Sequence, residues 1–298
     1  MSNRRRQFEQ LKLLARHFVR WYGLHAPDKG KYRVINFFAP RLAPAANSAP
    51  VNVKAAHGFT MSLDLTEHLQ QRAYYLGYHE HMIVKAFVDT VTPGSCVFDL
   101  GANFGQFTLL AAQLTGSRGQ VFAFEPDPNA FAALQRNVTA NGFSQIVCRQ
   151  VAVSDAAGTA TFYIAPPTDP GTSSLARSAV EPYHHDYTQQ EVAVERLDEY
   201  RSRIKSPVSL IKLDIQGAEL AALRGAEQLL QEHRPAIIFE ADEVVMTAFG
   251  YHAQDLGAYL HQLGYVLYSI PTRPWQSPAR LDWRTPLSHD VLARHHPS

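Results

Sequence analysis

Only two cysteines, Cys96 and Cys148, occur in the 298 residues, which excludes a disulfide-rich scaffold and a four-thiolate zinc site. Charged residues make up 18% of the chain, below the usual quarter, and the formal net charge is +1. A balance that close to zero gives no overall pull toward nucleic acid. No apolar run reaches the roughly 18 residues of a membrane span. The first residues lack the apolar core and small-residue cleavage site of a secretory leader. The expectation is a cytoplasmic protein, with peripheral membrane contact as a variant. Apolar residues are present in ordinary amount, 46%, which suits one large α/β domain with an N-terminal extension.

The chain opens on a strongly basic segment. Residues 1–33 hold nine Lys or Arg against two acids, Glu9 and Asp28. Phe8, Leu11, Leu14, Phe18 and Trp21 recur at helical steps, which predicts an amphipathic helix. The ordinary use of such a stripe is burial against the domain or a second subunit; the alternative is an anionic membrane surface. Pro40 to Pro50 has the composition of a linker. The expected division is therefore an extension over 1–50 and a domain over 51–298, the latter with a hairpin and helix over 51–93 and a core over 94–298.

Within the core, short apolar runs alternate with helical stretches. Ser95–Gly101, Gln120–Glu125, Gln145–Val151, Val208–Ile215 and Ala236–Glu240 read as buried strands. Phe107–Leu114, Pro128–Ala140 and Ala218–Leu230 read as helices, and Thr66–Thr90 as an earlier one. The alternation predicts a mostly parallel sheet with helices on both faces. Thr159–Ile164 and Glu191–Glu195 alternate like half-buried strands around a long polar insert, Ala165–Gln190.

Three stretches carry chemistry. Asp99-Leu-Gly-Ala-Asn-Phe-Gly105 lies where a strand passes into a helix, and glycine there permits a sharp turn and close approach of a ligand. It lacks the third glycine of the dinucleotide fingerprint. Glu125 closes the next strand, where an acid can accept hydrogen bonds from both hydroxyls of a ribose. Asp214 closes a later strand and Glu219 opens the helix after it; Glu240 ends the strand beyond. In an open α/β sheet all of these strand ends face one crevice.

These motifs, with Phe124-Glu-Pro126, Ala152-Val-Ser-Asp155, Lys212-Leu-Asp-Ile-Gln-Gly-Ala-Glu219 and Arg234-Pro235, resemble the FkbM-type methyltransferases, which use S-adenosylmethionine and mostly methylate oxygen. The resemblance runs from about Tyr75 to Glu240, with an echo at His289–Ala293. It implies a Rossmann-like class I methyltransferase with a mostly parallel seven-stranded sheet, completed by a final antiparallel hairpin. It places Asp99, Gly101, Ala102, Asn103, Phe104, Gly105, Glu125, Pro126 and Asp214 around the cofactor, and Ser154 and Asp155 near its adenine. Gly77 to Glu80 resembles a family segment in which His79 stands where Tyr is usual, and Glu80 joins the cofactor set. Gln216 stands where Glu is usual. Gly171-Thr-Ser-Ser-Leu175 resembles a segment near the acceptor, which makes Ser173, Ser174, Glu219 and Glu240 the acceptor candidates.

Methyl transfer is an in-line displacement, so the protein has to align its reactants and remove the proton of a hydroxyl acceptor. Asp214 is the first candidate as base or orienting group. Histidine is the other choice, with His79 and His184 foremost and His81 and His185 behind them. Asp214 and Glu240 could share Mg²⁺ through water ligands, but without a third ligand of clear spacing no metal is expected. The expected function is O-methylation of a sugar, glycolipid or natural product. The competing readings are a nicotinamide-dependent oxidoreductase and a non-catalytic cofactor-binding adaptor. The expected partner is a small-molecule, glycan or lipid-linked acceptor, with the N-terminal helix as membrane or homodimer contact.

Overall fold

The computed structural model describes residues 3–45, 48–273, 275–287 and 289–296. The chain divides into two compact units, Met1–Glu80 and His81–Ser298.

The first unit contains helices α1 (Asn3–His25) and α2 (Asp28–Phe38), a hairpin of β1 (Val51–Lys54) and β2 (Thr60–Leu63), and helix α3 (His68–Leu76). The side chain of Phe8 and residues 46–47 of the expected linker lie outside the described residues. Buried Ile35, Met61 and Leu63 belong to the unit's core. Glu67 caps α3 by accepting from the amides of Leu69 and Gln70 at 2.6 and 2.8 Å. The β1–β2 hairpin lies in the first of these compact units. The single helix expected over Thr66–Thr90 ends at Gly77 (φ +86°), and Glu80 is also left-handed (φ +58°). The stripe of α1 departs from its ordinary use: Leu11, Leu14, Phe18 and Trp21 are exposed, and Arg16, Val19 and Gly23 turn inward instead.

The second unit begins with α4 (His81–Thr90) and is built on an eight-stranded sheet. Its parallel part runs, in spatial order, β10 (Ala236–Ala241), β9 (Val208–Leu213), β3 (Cys96–Leu100), β4 (Gln120–Phe124) and β5 (Ile146–Arg149). Strand β13 (His289–His295) enters antiparallel between β10 and β11 (Tyr265–Ser269). The seven strands expected are all present, and a two-residue strand, β12 (Arg280–Leu281), adds an eighth at the edge. Every residue of β3 is buried, as a central parallel strand requires. Phe98, Phe122 and Phe124 stack across β3 and β4, with the Tyr200 ring packed edge-on against them.

Helices α5 (Gln106–Thr115), α6 (Pro128–Asn141), α8 (Glu219–Arg224), α9 (Glu227–His233), α10 (Glu243–Ala248) and α11 (Ala253–Gln262) flank the sheet. The helix expected over Ala218–Leu230 is broken between α8 and α9, where Gly225 lies so close to the Ser154 carbonyl that a Cβ would overlap it. The strand expected over Gln145–Val151 stops at Arg149. The chain then joins a separate three-stranded sheet through β6 (Ala152–Val153), which pairs with β8 (Thr188–Glu195), itself antiparallel to β7 (Gly158–Ile164). Between β7 and β8 the insert carries a short helix, α7 (Arg177–Val180), that packs with α10. No helix among the described residues is long and apolar enough to cross a membrane.

Candidate functional site

Strand β3 ends on Gly101 (φ +76°), where the chain must bend beneath the end of β9: a Cβ at Gly101 would overlap the Asp214 carbonyl. The amides of Gly101 and Ala102 both donate to the Phe124 carbonyl at 3.0 Å, which fixes the loop to the end of β4. Gly105 (φ +93°) starts α5 against Leu134, whose Cδ1 would lie 2.7 Å from a Cβ there. Both glycines are thus demanded by the protein's own packing. Between them Asn103 is left-handed (φ +49°), and its amide donates to Glu125 Oε2 at 2.7 Å.

Glu125 is buried at the tip of β4. Its Oε1 accepts from the Asp127 amide at 2.9 Å, and Asp127 in turn caps α6 through Asn129 and Ala130. Two backbone amides do not offset the loss of water, and burial pushes the Glu125 carboxyl up to about 8. Asn103 Oδ1 is buried beside it with no hydrogen-bond partner among the described residues. Ala102, Phe104 and Pro126 are buried and form the floor of this loop, where the Phe104 carbonyl accepts from Asn137 Nδ2 at 2.8 Å.

Asp99 and Asp214 sit either side of a lysine. Asp99 is fully buried, accepts from Thr108 Oγ1 at 2.6 Å through Oδ2, and its Oδ1 has no partner among the described residues. Burial raises its carboxyl, and the charge of Lys212 works against that rise. Lys212 is itself buried, donates to Asp214 Oδ2 at 3.0 Å and lies over the Phe107 ring. Asp214 is 34% exposed, so its carboxylate reaches solvent while Asp99 does not. Any part Asp99 takes passes through Lys212 and Thr108.

Glu219 is placed differently from an acceptor-facing acid. It is buried, accepts from the amides of Ile215 and Gly217 at 3.2 and 3.3 Å, and receives the Tyr251 hydroxyl at 3.2 Å. Burial pushes it up to about 7. It holds the turn after β9 together. Ser173 and Ser174 are also buried. Ser173 Oγ accepts from the Ala165 amide at 3.0 Å. Ser174 Oγ donates to the Gln216 carbonyl at 2.8 Å. Ser174 thus fastens the insert to the turn after β9, while Ser173 bonds within the insert itself.

The remaining candidates each have their own local setting. His184 Nε2 lies 3.0 Å from Asp169 Oδ2, within the insert; His185 is exposed and His81 opens α4. Glu240 is exposed on β10, opposite Asp290 of β13. Ser154 and Asp155 follow β6, with the Ser154 carbonyl against Gly225, and their side chains contact each other at 3.3 Å. This places them by the break between α8 and α9. His79 and Glu80 close the first unit, 3.5 Å apart. Among the described residues no group of three or more His, Cys, Asp or Glu could hold a metal ion.

Lys212, Asp127 and Tyr251 escaped the reading of the sequence. Lys212 carried a usable signal, a lone cation between Ile211 and Leu213 in an otherwise apolar strand. Asp127 carried another, an acid directly before Pro128 at a helix start.

The family model described as "Methyltransferase FkbM domain" matches residues 99–267. The 2-O-methyltransferase NoeI of Sinorhizobium fredii (strain NBRC 101917 / NGR234) is 29% identical over 154 residues, 48% of this chain and 61% of NoeI. The 31-O-demethyl-FK506 methyltransferase FkbM of Streptomyces tacrolimicus is 48% identical over 73 residues, 24% of this chain and 27% of that protein. The chain thus spans about three fifths or less of the length of these relatives. The crystal structure of methyltransferase FkbM from Methylobacillus flagellatus KT aligns with 76% of this chain and 55% of its own, at 20% identity and a TM-score of 0.44. Since the matched segment covers more than half the chain and holds the glycine loop, Glu125 and Asp214 in order, the chain belongs to the FkbM methyltransferase domain family.

Proposed function

We propose that the chain is an S-adenosylmethionine-dependent methyltransferase that methylates a hydroxyl on a sugar, glycolipid or natural product. The observation that supports this best is the buried carboxylate of Glu125, which ties the β3 loop to the tip of β4. Each Glu125 oxygen takes one backbone amide and keeps lone-pair capacity, and Asn103 Oδ1 beside it lacks a donor. Acceptors short of donors fit a nucleoside, whose ribose brings two hydroxyl donors. The names of the relatives, a 2-O-methyltransferase and a 31-O-demethyl-FK506 methyltransferase, support oxygen as the methylated atom.

When bound, S-adenosylmethionine supplies a methyl group already activated on a sulfonium. The chain's residues have to hold, orient and accept a proton. Glu125 holds the ribose. Asp214 sets a negative charge at the end of β9, where it favours a cationic ligand over a neutral one. With Oδ2 engaged by Lys212, Asp214 suits orientation better than proton removal. His184, paired with Asp169, is the candidate base within the insert. Ser174 ties that insert to the turn after β9.

The test is transfer of a labelled methyl group from S-adenosylmethionine to a panel of free sugars, glycolipids and hydroxylated polyketides. The expected result is an O-methyl ether on one acceptor class. Transfer to nitrogen or carbon alone, or turnover of a nicotinamide in place of methyl transfer, would overturn the reading.

A further inference from the structure

Helix α1 is fixed to its unit by one face. Arg16 Nε donates to the Leu42 carbonyl at 2.7 Å, Val19 is buried, and Gly23 lies so close to the Tyr75 carbonyl that a Cβ would overlap it. Arg20 donates to the Tyr74 carbonyl and lies over that tyrosine's ring. The opposite face carries Leu11, Leu14, Phe18 and Trp21, which are 64, 65, 66 and 57% exposed. Leu13 and Leu24, also exposed, widen the strip. The Phe18 and Trp21 rings stack at 6.1 Å, and Trp21 stacks on His25 at 5.4 Å. The helix needs none of this strip for its own packing, and contiguous exposed apolar surface of this kind marks an interaction site.

Charge selects the occupant. Residues 1–33 hold nine of the chain's 28 Lys and Arg but only two of its 27 Asp and Glu. We infer that this face of α1 docks on an anionic lipid surface, with the helix in the membrane plane and Phe18 and Trp21 at headgroup depth. A second copy laid on the same face in a two-fold contact would bring two like-charged segments together. Anionic headgroups oppose that charge and draw it in, while the strip enters the boundary of the acyl chains. Indole and phenyl rings are the side chains best suited to that boundary. The inference rests on the first unit alone and stands or falls separately from the methyltransferase reading.

The test is flotation of the full chain with vesicles of phosphatidylcholine alone or with added phosphatidylserine. The expected result is binding to the anionic vesicles, much weaker binding to the neutral ones, and release by salt. Leu14→Ser with Phe18→Ser should lower partitioning by about tenfold or more. Both side chains are exposed, so thermal unfolding and S-adenosylhomocysteine binding of that variant should stay as in the native chain. Brominated lipids should quench native fluorescence, and Trp21→Phe should remove most of the quenching. Absence of binding to anionic vesicles at low salt would overturn the inference. So would equal binding by the double variant. A solution dimer that the double variant dissociates would assign the face to a second copy instead.

Discussion

The backbone amide of Asn103 donates to Glu125 Oε2 at 2.7 Å, so one buried carboxylate joins the loop after β3 to the tip of β4. Burial of that carboxylate, which the amide bonds only partly offset, sets the site's electrostatics. An acid placed where two amides reach it and water does not is poised between its charged and neutral forms near neutral pH.

The first prediction concerns pH. Burial moves the Glu125 carboxyl from its ordinary 4.5 up to about 8. Between those values the folded chain keeps a proton that the unfolded chain has lost. Stability from this group is therefore full below about pH 4.5, falls as pH rises toward 8, and is lost above it, by at most about tenfold in the folding equilibrium per pH unit. Ribose hydroxyls bond the ionised form better, so cofactor affinity runs the other way, rising toward pH 8 and levelling beyond it. Melting curves and calorimetric titrations across this range check both slopes, and Glu125→Gln should flatten them. A cofactor affinity independent of pH would count against the assignment.

The second concerns the glycines. At Gly101 an added Cβ overlaps the rigid Asp214 carbonyl in a left-handed backbone, so Gly101→Ala should cost about 3 kcal/mol or more. At Gly105 the obstacle is the Leu134 side-chain end, and about 2 kcal/mol is expected. Gly142 is left-handed (φ +65°, ψ +24°) with nothing within 4 Å, so only the conformational cost of about 1 kcal/mol remains. Chemical denaturation should give that order. An equal loss at all three would show that the strand-end contact is not what fixes Gly101.

The third concerns Asp214. A carboxylate that attracts a sulfonium should matter less to a ligand whose sulfur is neutral. Asp214→Asn should weaken S-adenosylmethionine binding by about tenfold and S-adenosylhomocysteine binding far less. Equal losses for the two ligands would make Asp214 a general framework residue.

The fourth concerns the insert. Ser174→Ala removes the donor to the Gln216 carbonyl and the acceptor for the Ala176 amide at 3.3 Å. A loss of about 1–3 kcal/mol is expected, with faster amide exchange across Gly171–Leu175. Unchanged protection there would mean that other contacts hold the insert in place.

The framework of this site was legible in the sequence where local pattern decides the outcome. Strands β3, β4, β9 and β10 are short, mostly apolar runs, and the glycines after β3 mark its turn. The features that escaped depend on contacts distant in sequence. The break at Gly225 needs the Ser154 carbonyl, which approaches from another sheet. The serines at 173 and 174 read as acceptor-facing in the sequence, while in the structure both are buried, with Ser173 on the Ala165 amide and Ser174 on the Gln216 carbonyl. Glu219 reads as a helix-start charge, yet it is buried on the amides of its own turn. The stripe of α1 was visible as a pattern, but periodicity cannot say which face a helix turns to its neighbours. Arg16 and Gly23 settle that through Leu42 and Tyr75.

The most direct test of the central claim is calorimetric titration of the full chain with S-adenosylhomocysteine, native against Glu125→Ala. The account predicts saturable binding by the native chain and a loss of roughly 10–100-fold in the variant, with cooperative unfolding retained. No binding by the native chain, or undiminished affinity without the carboxylate, would contradict it.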